Sequence, residues 1–206
     1  MKKKSKKNKL SNLIFMGFLM ALISIFVDEI TQKPLSNSTN KSLNSVLNEM
    51  NKIETIEQFN SYARKNKIED TEISGAAVLM SFSIQAKVIG EFCDSTGYIP
   101  EKHISALNSY ITDIDVDKLS LNALINRGHD REKSIQVVQK IKEETQKQLK
   151  RFMEIEYLEE VKTNPHFTKK AYCKTYDDRS EDIISMKLNK IKEDAPKIFE
   201  KYFIKK

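Results

Sequence analysis

Apolar residues recur along this chain at three- and four-residue steps, the spacing of one face of an α-helix, and no strand-like alternation appears. One stretch breaks the amphipathic rule. From Ile73 to Ile84 every side chain is small or apolar on all sides, and a helix of that kind has to be enclosed by other elements. The segment Glu72 to Cys93 is therefore expected to be the central helix. On it Leu79, Phe82, Ala86, Ile89 and Cys93 form one inward stripe, and Gly75, Ala76, Ala77, Ser81, Ser83 and Gly90 allow neighbours to approach closely. The twelve residues before Lys87 are too few for a membrane span of roughly 20.

Amphipathic helices are expected on both sides of it. A first carries Leu43, Val46, Leu47, Met50, Ile53, Ile56, Phe59, Tyr62 and Ala63 and ends near Lys65. After the stop at Asp94-Ser95-Thr96-Gly97, Pro100 suits the first turn of a helix bearing Ile104, Leu107, Tyr110 and Ile111. Asp113 to Asp117 interrupts it, and a short piece with Leu119, Leu121, Leu124 and Ile125 closes at Gly128. A long helix follows from about Asp130 to Val161, with Asp130 as its cap and Ile135, Val138, Ile141, Leu149, Phe152, Ile155 and Leu158 as its apolar stripe. Asn164-Pro165 breaks it. A short segment from Phe167 to Tyr176 leads to a last helix with Ile184, Leu188, Ile191, Ile198, Phe199 and Tyr202, which Pro196 either kinks or restarts. The pattern predicts an all-α helical bundle of about five helices around a central apolar one.

Charge changes the picture only at the N-terminus. The net charge of +6 equals the contribution of Lys2, Lys3, Lys4, Lys6, Lys7 and Lys9, so the body is neutral and lacks the clustered basic surface that nucleic acid requires. Behind these lysines lies LIFMGFLMALISIFV, fifteen uncharged residues from Leu13 to Val27, followed by Asp28 and Glu29. A basic tip and an apolar run make an export signal with the tip left in the cytoplasm. No A-x-A-like cleavage site closes it. Three parts follow: residues 1–27 as basic tip and signal or anchor, residues 28–41 as a flexible linker around Pro34, and residues 42–206 as one all-α extracytoplasmic domain. The expected location is the inner membrane, reached through residues 10–27, with the domain in the periplasm; a cleaved periplasmic form is the alternative.

Export also decides how the cysteines read. Cys93 and Cys173 are the chain's two, and both fall in the part placed outside, where thiols are usually oxidised, so a disulfide between them is expected. Candidate chemistry is sparse. There is no Gly-x-Ser-x-Gly, Walker or dinucleotide pattern, and no cofactor is expected. His103, then His129-Asp130, then Asp177, Asp178 or Asp182 resembles the ligand order of helical metal-dependent phosphohydrolases. The alternative function is accordingly an exported metal-dependent hydrolase using His103, His129 and Asp130. No two of the three histidines share the i, i+4 spacing of a helical metal site, however, and NRGHDREK reads as a polar turn. The leading expectation is a non-catalytic, membrane-tethered or exported protein-binding module of the immunity, inhibitor or accessory type. Its partner is another protein, and its partner surface is Val137, Met153 and Tyr157, apolar residues beside the main stripe of the long helix. The C-terminal KIFEKYFIKK offers a membrane contact through Phe199 and Phe203, or a helix packed on the domain.

Overall fold

The structure, a computed structural model, describes residues 72–204 except Arg127, together with Asn48, Asn51, Lys52, Glu54, Thr55 and Gln58. The expected anchor and linker lie outside these residues, as does most of the expected first helix. Among the described residues there are seven helices and no strands. They are α1 (Glu72–Asp94), α2 (Glu101–Asn108), α3 (Val116–Ile125), α4 (Arg131–Thr163), α5 (Lys169–Asp178), α6 (Ser180–Asp194) and α7 (Pro196–Tyr202).

α1 is buried on every side from Ile73 to Phe82, so the all-round apolar run sits where its composition demands. At 23 residues it has the length and apolarity of a membrane-crossing helix. Here α2, α3 and α4 pack along it, while α5 and α7 close its two ends. At the first end Gly75 lets α7 in: a Cβ on it would lie 2.8 Å from the Tyr202 ring. At the other, Cys93 and Cys173 form a disulfide with Cα atoms 5.8 Å apart, fixing α5 to the C-terminal end of α1. α6 connects the two ends and so runs antiparallel to α1.

Local chemistry sets the boundaries. Gly97, at φ 66°, turns the chain out of α1, and Gly128, at φ 88°, closes the turn after α3 with its N–H on the Ile125 carbonyl. The side chains of Asp115, Asp130 and Thr168 accept hydrogen bonds from the third main-chain N–H beyond them and so cap α3, α4 and α5. Pro196 restarts the chain as α7 after Asp194 and does not kink α6. Phe203 is buried against Phe82 and Phe199, so its ring packs on the domain and is not free to meet a membrane.

α4 departs most from the sequence pattern. Its buried residues are Ser134, Val138, Ile141, Thr145, Gln148, Leu149, Phe152, Met153 and Glu156. That face steps by three and four, but four of its positions are polar, and it is rotated from the apolar stripe. Ile135 and Leu158, expected inside, are 50% and 47% exposed. Met153, expected on the partner surface, is 3% exposed, because it follows Leu149 by one turn on the inward face. Val137 and Tyr157 are half-buried and packed against the core. Of the three residues taken as partner surface, Met153 is therefore core, and the other two are only partly accessible.

Candidate functional site

Two places concentrate polar or apolar groups beyond what packing requires. The first is interior. α5 places Tyr172 and Tyr176 one turn apart, on either side of the register held by Cys173. Tyr172 donates its hydroxyl proton to Glu156 Oε2 at 2.6 Å, and the two tyrosine oxygens are 3.1 Å apart. The His103 ring lies 5.2 Å from that of Tyr176, and its Nδ1 is 3.2 Å from Ser180 Oγ. The main-chain N–H of His103 donates to Asp177 Oδ1, whose Oδ2 accepts from the Tyr98 hydroxyl at 2.7 Å. Further along α6, Lys187 Nζ donates to Gln85 Oε1 of α1 at 2.6 Å. Helices α1, α2, α4, α5 and α6 thus all contribute to one buried polar band.

Burial governs protonation there. Loss of solvent pushes the Glu156 carboxyl up to about 7, against the stabilising bond from Tyr172 and with a small push from Glu160 and Glu159. The same loss takes the His103 imidazole down to about 3, helped by the nearby Lys187 charge, and holds the Lys187 amine well below its usual range. The hydroxyls of Tyr172 and Tyr176 are raised by burial. The Tyr98 hydroxyl is raised to about 12 chiefly by its bond to Asp177. Chemically, a Ser–His pair and a lysine with a depressed pKa are the ingredients of nucleophilic catalysis. Here Ser180, His103 and Lys187 are all buried, out of contact with solvent-borne substrate.

The sequence suggested a different grouping. His103 is enclosed between α2, α5 and α6, whereas His129 is half-exposed at the turn after α3 and Asp130 caps α4 through Lys133 N–H at 3.0 Å. Among the described residues no three His, Cys, Asp or Glu side chains are placed to hold a metal ion. His103, His129 and Asp130 are therefore not brought together. Sequence reasoning missed Glu156, Tyr172, Tyr176, Ser180, Lys187 and Gln85. The signal was in the register: Ile183, Ile184, Lys187 and Ile191 share one buried face of α6, and Glu156 continues the inward row of α4. A charge in such a row is ordinarily read as facing water.

The second place is at the surface. α3 and α4 border an open cleft of about 670 Å³. Leu121 and Ile125 line it from α3, and Ile135 and Val138 from α4. Lys142 donates to both Asp117 carboxylate oxygens, at 2.7 and 2.8 Å, across one end. Arg131 stands at the other end and enters no ion pair among the described residues. No family model matches the chain, and no curated protein or solved structure is significantly similar to it.

Proposed function

We propose that this protein is a non-catalytic binding module, exported and tethered to the inner membrane through residues 10–27, which engages another protein through the cleft between α3 and α4. One observation carries the reading. Among the described residues, His103, Ser180, Lys187 and Glu156 are sealed inside while aliphatic surface is left open, with Ile135 half-exposed on the cleft wall. An enzyme needs the reverse, since its polar groups must reach substrate. The cleft's size lies within the range of recognition pockets, about 300–1,000 Å³. Export is supported by the lysine tip, the uncharged run after it and the Cys93–Cys173 disulfide, a bond typical of oxidising compartments.

Site-specific photo-crosslinking in the envelope tests the reading. A photoreactive residue replacing Ile135 in the full-length anchored chain is expected to give a discrete protein adduct, and one replacing the exposed Lys174 of α5 none. The same adduct from both positions, or none from Ile135, would overturn the cleft as the binding surface. A metal-dependent hydrolytic activity lost on changing His129 or Asp130 would overturn the non-catalytic reading. Recovery of the domain in the cytosol would remove the proposed topology.

A further inference from the structure

The geometry points to a specific occupant for this cleft: an amphipathic helix of a protein partner, two turns of which lie between α3 and α4 with a carboxylate paired to Arg131. The inference rests on the binding-module reading above and adds the chemistry of the partner.

The walls are two antiparallel helical rows. Asp117 near the start of α3 is bonded to Lys142 on α4, while the end of α3 is joined to the start of α4 by the short turn at Gly128. Leu121 and Ile125 are one turn apart on α3, and Ile135 and Val138 are three residues apart on α4. At 1.5 Å per residue the apolar rows span about 6 Å and about 4.5 Å, roughly one turn, and the whole α3 wall from Asp117 to Ile125 about 12 Å, close to two helical turns. A helix laid between them presents side chains at i, i+3 or i+4 and i+7 to such a seat, as helices do in apolar grooves.

Charge fixes the direction. Five charged residues line the cleft. Lys118 and Lys142 offset Asp115 and Asp117 at one end, leaving Arg131 at the other with no ion pair among the described residues. A guanidinium is suited to a carboxylate, which it grips with two parallel hydrogen bonds. The competing occupants fit less well. A second copy meeting this one by a two-fold axis would set hollow against hollow, leaving neither filled. The chain's own Asn51 is held farther along α4, where Gln148 Nε2 donates to Asn51 Oδ1 at 2.7 Å and Arg151 to its carbonyl at 3.0 Å.

The probe is a stapled helical peptide of about 14 residues, long enough for two central turns. It carries Leu at i, i+4 and i+7 and a Glu one turn before the first Leu. Binding to the full chain in nanodiscs is read by fluorescence anisotropy. The Glu peptide is expected to bind roughly tenfold tighter than its Lys counterpart, and a Leu-to-Ser counterpart is not expected to bind. Arg131→Glu is expected to invert the Glu/Lys preference, and Ile135→Asp to abolish binding with an unchanged thermal melt. Absence of binding, or a preference that Arg131→Glu leaves unaltered, overturns the proposal. So does displacement of the probe by a peptide of residues 43–63, or a concentration-dependent dimer lost in Ile135→Asp, since either assigns the cleft to this chain itself. If photo-adducts form from Ile135 while the charge preference is flat, the binding module stands and only the carboxylate-bearing helix falls. If both fail, the function reading falls with it.

Discussion

The interior band at Glu156, Tyr172, Tyr176, His103 and Lys187 and the cleft at Leu121, Ile125 and Ile135 reverse the usual distribution of side chains. One is polar and closed, and the other is aliphatic and open. A buried polar group that loses its partner costs the desolvation of whatever is left behind, so changes in the band act on stability. An aliphatic side chain half in water contributes little to folding, so under the proposed function changes in the cleft act on binding and leave stability nearly unchanged.

The largest effect is expected at the disulfide. It closes an 80-residue separation and holds α5, which carries the two tyrosines, against the end of α1. Replacing Cys93 and Cys173 together by Ala is expected to lower stability by about 4 kcal/mol in the chain-entropy account. Denaturant titration checks this, and hydrogen exchange should show α5 loosened before the α3–α4 walls.

Next comes pH. Glu156 has a carboxyl raised by burial from 4.5 to about 7. Between those values the folded protein holds a proton that the unfolded chain has released, so this group lowers stability as pH rises through that window, by about 3 kcal/mol in all. His103 acts in the opposite sense. Its imidazole falls from 6.5 to about 3 on folding, so the unfolded chain binds the extra proton and stability is lost as pH falls from 6.5 towards 3. From about 4.5 to 6.5 the two contributions largely offset each other. In Glu156→Gln the offset is removed, and stability measured across pH should climb more steeply with pH in that window than in the parent. Parallel curves would mean that Glu156 is ionised normally in the folded state.

A smaller effect is expected where Lys187 meets Gln85. Burial depresses the lysine, so its amine weakens the fold at any pH below the ordinary lysine range and stability recovers as pH rises towards 10.5. Gln85→Leu alone leaves that amine without its 2.6 Å partner and should destabilise the protein. Lys187→Met with Gln85→Leu should restore or exceed parental stability by about 1 kcal/mol or more. Thermal melts of the single and double variants decide it. The smallest effect belongs to the cleft: Ile135→Ser should change stability by no more than about 0.5 kcal/mol while eliminating the Glu-peptide interaction. A large loss of stability there would make Ile135 a core residue in function as well as in pattern.

Periodicity and punctuation alone determined the all-helical class of the described residues, the burial of α1, the Asp130 cap and the breaks at Gly97, Gly128 and Pro165. These depend on local dihedral preferences and on a run of apolar residues that has only one place to go. The pairing of Cys93 with Cys173 was also legible, because a chain with two cysteines has one internal pairing open to it. Only the tertiary structure decided which face of α4 turns inward. Ser134, Thr145, Gln148 and Glu156 lie on that face, and Ile135 and Leu158 do not. A helix is oriented by the sum of contacts with its neighbours, and Phe152, Met153, Leu149 and Ile141 outweigh the cost of burying Ser134, Gln148 and Glu156, which find hydrogen bonds, and Thr145, whose hydroxyl finds none among the described residues. For the same reason Met153, expected at a partner surface with Val137 and Tyr157, lies on the inward face. The open cleft forms only because α3 folds back beside the start of α4, a relation between residues 121 and 135 that no local pattern encodes.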